Sequence, residues 1–246
     1  MKNAAILFFL LLFSTLSHAT TIVLVHGAFA DGSSWEKVIP IIKTAGFKVV
    51  AVQLPMTSLK DDVDTTNRAI ENAADNVVLV GHSYAGVVIS QAGMNANVKQ
   101  LVYVAAFAPD AGQSAADVSA AYPPTPGLGQ IVVDKFGYAK LTDDGVKNDF
   151  AQDLPDDQTS VMAAVQGPIF ATNLTDKVTD AAWKTKPSYY IVAQNDRMID
   201  PNLQKDSANK MSAKTTSLDS SHAVMLAKPA EVAAVILAAA TVGSKK

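Results

Sequence analysis

The chain has no cysteine, which removes disulfides, thiolate metal sites and lipid attachment through sulfur from consideration. Histidine is scarce. His18, His26, His82 and His222 are the only four, and no two stand at the i, i+4 spacing of a zinc-binding helix, so no metal site is expected. Charge is sparse as well: charged residues are 17% of the sequence, the formal net charge is −3, and lysine and arginine are dispersed, so neither nucleic acid nor an anionic membrane is favoured as a partner. Two cofactor signatures are missing from the loop His26-Gly27-Ala28-Phe29-Ala30-Asp31-Gly32-Ser33-Ser34. The spacing from Gly27 to Gly32 fits a phosphate-cradling loop, but Ser33 stands where that loop requires a lysine. The dinucleotide fingerprint G-x-G-x-x-G is absent there too, so no nicotinamide or flavin cofactor is expected.

What is present is apolar and regularly punctuated. Hydrophobic residues are 49% of the chain, the balance of a compact globular enzyme rather than a disordered one. The first residues, MKNAAILFFLLLFSTLSHA, combine Lys2, the ten apolar residues Ala4 to Phe13 and small residues at Ser17 and Ala19. Ten apolar residues are too few to span a bilayer, and the flanks fit an export signal cut after Ala19, which predicts a periplasmic or secreted protein without a membrane anchor. Removing 19 of 246 residues leaves 227, residues 20–246, enough for one large α/β domain.

Short β-branched runs at Thr21 to Val25, Lys48 to Val52, Val77 to Val80, Val98 to Ala105 and Ser188 to Ala193 suit strands buried on both faces of a parallel sheet. Helical patterns at Ser34 to Ala45, Asp62 to Ala74, Ala85 to Met94, Asn202 to Met211 and Pro229 to Ala240 alternate with them. The pattern predicts a doubly wound, mostly parallel α/β sandwich. Residues 110–186 break the alternation with a proline- and glycine-rich start and scattered aromatics. Too long for a bare loop, this insertion is expected to be a mostly helical lid over the carboxyl ends of the strands.

The stretch Asn76 to Ser90, NVVLVGHSYAGVVIS, almost spells the G-x-S-x-G elbow that presents a nucleophilic serine on a strand-to-helix turn. Its fifth position is Ala85, and Ser83 is the candidate nucleophile. The matching base must come late in the chain, and His222 is the one histidine free of the signal and of the two glycine-flanked motifs. An orienting acid should end a strand between them. Asp196 follows the run Ser188 to Ala193, whereas Asp110 follows the run Val98 to Ala105, and order alone does not separate the two. Asp196 is favoured because its strand end is nearest in sequence to His222. Asp200, just before Pro201, reads as a helix cap.

The motifs VLVHGAFADGSSW, GHSYAGVVI, LVYVAAFAPD, NDRMI and SSHAVML, in this order, resemble the small α/β-hydrolases, and within them the branch holding plant methylesterases and hydroxynitrile lyases. The resemblance implies Ser83, Asp196 and His222 as the catalytic triad, the amides of Ala28 and Tyr84 as the oxyanion donors, and hydrolysis of a small-molecule ester without a cofactor. Phe29 and Tyr84 are expected to line an apolar pocket. Hydroxynitrile lyases of this type carry a threonine beside the nucleophile and a lysine after the catalytic histidine, where this chain has Gly27 and Ala223. Lyase chemistry is therefore disfavoured. It stands as the first alternative, and a non-catalytic ligand-binding protein on the same fold is the second.

Overall fold

The computed structural model describes residues 20–73 and 76–242, so the segment read as an export signal lies outside the described residues. The chain runs through β1 (Thr20–Val25), α1 (Val38–Thr44), β2 (Lys48–Val52), α2 (Leu59–Glu71), β3 (Asn76–His82), α3 (Ala85–Ala92) and β4 (Val98–Val104). Residues 110–186 follow, with α4 (Ala115–Ser119), β5 (Ile131–Val133), β6 (Tyr138–Leu141), α5 (Asp143–Gly145), a π-helical turn (Val146–Phe150), α6 (Asp156–Val165) and β7 (Ile169–Phe170). The alternation then resumes with β8 (Ser188–Ala193), α7 (Pro201–Lys210), β9 (Lys214–Leu218), α8 (Val224–Ala227) and α9 (Pro229–Val242).

The main sheet has six strands in the order β2-β1-β3-β4-β8-β9, every pair parallel. Successive side chains of a strand point to opposite faces, and the core divides accordingly. Val23, Val25, Leu79, Tyr103 and Val192 face α2, α3 and α7, while Ile22, Leu24, Val80, Val104 and Ile191 face α1 and α9. The four inner strands are buried as expected. β2 and β9 are half-exposed because they are the edges, which corrects the expectation of burial on both faces for Lys48 to Val52.

The single helix expected from Ser34 to Ala45 is split. Asp31 caps a 3₁₀ turn at Gly32–Trp35 by accepting the Ser33 amide at 2.6 Å, and α1 starts only at Val38, with Pro40 tolerated in its first turn. Within the insertion, expected to be mostly helical, β5, β6 and β7 also form a small antiparallel sheet. Ile131-Val132-Val133 and Tyr138-Ala139-Lys140-Leu141 are short, and Val132 and Val133 are exposed, so they lack the buried apolar run by which the main strands announce themselves. Among the described residues, no helix is long and apolar enough to cross a membrane.

Candidate active site

β3 ends at His82, and the chain turns into α3 through Ser83, whose φ of +56° places a non-glycine residue in the left-handed region. Such a conformation costs about 1 kcal/mol or more and needs fixed surroundings. They are supplied by β4, by the segment after it and by α3: the Ser83 amide donates to the Val104 carbonyl at 3.1 Å, and the Ser83 carbonyl accepts from the amides of Gly86 at 3.0 Å and Phe107 at 3.2 Å. The glycine demanded by this turn is Gly86, where a Cβ would lie 1.9 Å from the Phe107 carbonyl oxygen. Gly81 is pinned from the other side, since a Cβ there would come within 2.8 Å of the Ala85 carbonyl. Ala85, fully buried between them, keeps its methyl group, so the departure from G-x-S-x-G leaves the elbow intact.

His222 follows β9 on a loop and is 1% exposed. Its Nδ1 lies 2.7 Å from Asp196 Oδ2, which fixes Nδ1 as the protonated nitrogen and leaves Nε2 as the one available to accept a proton. Asp196, past the end of β8, is itself buried and held by further donors: the amides of Met198 and Ile199 on Oδ1 at 2.7 and 2.9 Å, and Gln204 Nε2 on Oδ2 at 2.7 Å. Asp110 takes no part in this arrangement. Its carboxylate is 2.5 Å from Lys184 Nζ, which holds its pKa below the usual carboxylate range. Asp200 caps α7 by accepting the Asn202 amide at 2.7 Å.

The other two described histidines are committed elsewhere. His26 donates from Nδ1 to the Gly27 carbonyl at 2.9 Å and accepts the Leu54 amide on Nε2 at 3.0 Å, fixing the course of the loop after β1. His82 donates from Nε2 to the His222 carbonyl at 2.9 Å and so anchors the backbone of the residue it precedes in space. Burial lowers the pKa of both, and for His82 the neighbouring His222 adds to the effect, so both rings are neutral. Gly27 packs directly against the elbow: a Cβ there would sit 2.7 Å from Ser83 Cβ and 3.0 Å from His82 Nδ1. Phe29, next in the loop but one, is left-handed with φ +58°. Among the described residues, no backbone acceptor pairs with the amides of Ala28 or Tyr84.

Ser83, His222, Ala28, Phe29 and Tyr84 all line one cavity of about 380 Å³ at the carboxyl ends of the strands. Residues 110–186 roof it with Ala115, Tyr122, Leu128, Ile131, Phe150 and Leu174, and the lining is overwhelmingly apolar. A second cavity of about 350 Å³ lies on the far side of Phe29 and Phe150, which line both. Sequence reasoning missed how the π-helical turn and the loop after it brace the site. Arg197 Nε lies 2.9 Å from Asp149 Oδ1, Asp153 Oδ2 accepts the Ser221 amide at 2.7 Å, and the Ala223 amide donates to the Phe150 carbonyl at 3.1 Å. These contacts hold the acid loop and the histidine loop from one side, and the Phe150 ring stands edge-on to His222 at 4.9 Å.

Known proteins share this arrangement's framework. The chain is 29% identical over 205 residues to a probable hydrolase R7 of a Phoma species, covering 74% of this chain and 80% of that protein. It is 26% identical over 238 residues to an alpha-hydroxynitrile lyase of Arabidopsis thaliana, covering 84% and 92%. The crystal structure of polyneuridine aldehyde esterase superposes with a TM-score of 0.77 at 20% identity, covering 89% of this chain and 98% of that one. The family model of the alpha/beta hydrolases matches residues 22–235, from the first strand to the last helix, and the chain belongs to the alpha/beta hydrolase family.

Proposed function

We propose that the protein is a serine hydrolase of small carboxylic esters with a Ser83-His222-Asp196 triad. The observation that carries this reading is the buried His222–Asp196 hydrogen bond of 2.7 Å on the wall of the cavity that also contains Ser83. Ser83 Oγ attacks the ester carbonyl as His222 Nε2 takes its proton, and Asp196 keeps Nδ1 protonated and stabilises the imidazolium. The amides of Ala28 and Tyr84 receive the oxyanion, each contributing on the order of 3 kcal/mol to the transition state. His222 then protonates the departing alcohol, and water, activated by the same nitrogen, releases the acyl group from Ser83.

The apolar lining supports a neutral small or aromatic ester, with Phe29 as a binding surface. Lyase chemistry is opposed by Gly27, where a threonine side chain would collide with Ser83, and by the uncharged Ala223. An ester panel on the wild type, Ser83→Ala and His222→Ala tests the reading: both variants should lose activity by about 10³-fold or more. Cyanohydrin cleavage with little ester turnover would favour the lyase instead. We also infer export from residues 1–19, and the mass of the mature protein, beginning at Thr20, tests it.

A further inference from the structure

Asp62 is a fully buried carboxyl group in α2, and neither the triad nor the cavity lining includes it. Its Oδ2 accepts from Tyr84 Oη at 2.9 Å and from Asn173 Nδ2 at 3.1 Å, and its Oδ1 accepts the Met56 amide at 2.8 Å. Tyr84 follows the nucleophile and opens α3, and its side chain is also fully buried. Asn173 belongs to the roof, beside the cavity residue Leu174, and Asn173 Nδ2 reaches Tyr84 Oη at 3.4 Å. Met56 is left-handed with φ +58°, and its carbonyl accepts the amide of Phe170, again from the roof. One carboxylate thus joins α2, the loop after β2, the elbow and the roof.

We propose that Asp62 is a positioning residue of the oxyanion hole, acting through the Tyr84 side chain to hold the Tyr84 amide in line with the reacting carbonyl and to seat the roof segment on it. The proposal rests on the esterase reading above. A buried polar contact of this kind is retained at a cost: a desolvated carboxylate in the core is unfavourable unless its donors are all in place. The inventory favours the ionised form, since all three neighbours donate to it. Burial pushes the Asp62 pKa up to about 6, and burial together with Asp62 pushes that of Tyr84 well above its usual value, so above pH 6 the pair is a carboxylate accepting from a phenol. The other charged groups near the pair are Asp61 on the same helix and Asp176 on the roof, the latter accepting the Leu59 amide at 3.4 Å.

Steady-state hydrolysis of p-nitrophenyl acetate by wild type, Asp62→Asn, Tyr84→Phe and the double variant, from pH 5 to 9, tests the proposal, with thermal unfolding as a check on folding. Because removing one oxyanion donor outright costs 10²- to 10³-fold, misaiming one should lower kcat by about tenfold in either single variant, with KM within about twofold. The double variant should fall little further than the singles, because both changes break the same contact. Beyond the rise with pH that the general base imposes on every variant, the wild-type kcat profile should carry a second component near pH 6 that Asp62→Asn lacks. Wild-type kcat in a folded Asp62→Asn or Tyr84→Phe, or losses that multiply in the double variant, would overturn the inference. Should Ser83→Ala in the same assay remain active, it is the esterase reading that fails. An inactive Ser83→Ala beside a fully active Asp62→Asn overturns only the role of Asp62.

Discussion

In the proposed mechanism the side chains of Ser83, His222 and Asp196 do the chemistry, and Gly81 and Gly86 leave room for the elbow that presents Ser83. Asp196 accepts four hydrogen bonds, including that of His222, so Asp196→Asn should present the wrong tautomer to His222 and lower kcat by about 10³- to 10⁴-fold, while Asp110→Asn, which breaks only an exposed ion pair with Lys184, should stay within about twofold. The kcat of the two variants on one ester checks this, and the reverse ranking would move the acid to Asp110. Gly86→Ala forces a methyl group into the Phe107 carbonyl and should destabilise the fold by several kcal/mol, read as a drop in thermal midpoint, whereas Ala85→Gly should be mild. The elbow was legible as a motif with one wrong letter. Its physical logic was not, because the demanding close approach falls on Gly86 against a backbone 21 positions away, a pairing no local pattern reveals.

At the level of elements, the inner strands of the main sheet announced themselves through buried apolar runs, and β2 and β8 begin and end where the β-branched runs Lys48 to Val52 and Ser188 to Ala193 do. Residues 110–186 did not, because β5 and β6 are short and partly exposed and the π-helical turn has no periodicity of its own. Yet that turn carries Asp149 and Phe150, and the loop just after it Asp153, which together brace the acid and histidine loops. Their polarity and spacing look like any solvated stretch, and only the tertiary contacts set them apart. Asp153→Ala frees the Ser221 amide and should lower kcat more than it lowers the thermal midpoint. Phe150→Ala removes one of the two rings shared by the cavities of about 380 and 350 Å³, and should raise kcat/KM for bulky aromatic esters relative to the acetate. An unchanged preference across an ester series would count against a dividing role for Phe150.

For the whole molecule, the sheet brings loops from the ends of β1, β3, β8 and β9 to one cavity, so residues 28–29, 83–84 and 222 meet there, with Asp196 bonded behind His222, although they span most of the chain. The alternation of strands and helices and the order of the motifs pointed to such a cavity. The pH dependence of stability did not, since it depends on burial. His26 and His82 have folded pKa values below the usual 6.5, so the unfolded chain binds protons that the fold refuses, and stability should decline as pH falls below about 6.5, by up to about 1.4 kcal/mol per unit for each ring. Asp62 acts in the opposite direction. Its folded value of about 6 exceeds the usual 3.8, so its contribution is full below 3.8 and is lost as pH rises through 6, a cost on the order of 3 kcal/mol at neutral pH. Asp62→Asn should therefore unfold at or above the wild-type temperature at pH 8 and lose that advantage towards pH 5, as thermal melts across the range would show.

The central claim is that Ser83 forms the covalent intermediate. Intact-mass and peptide mapping after reaction with a fluorophosphonate tests it most directly: the account predicts one adduct per chain, on the peptide containing Ser83, with ester hydrolysis lost in step and no adduct on Ser83→Ala. Full esterase activity in protein carrying a stoichiometric Ser83 adduct, or an inactivating adduct on another residue, would contradict it.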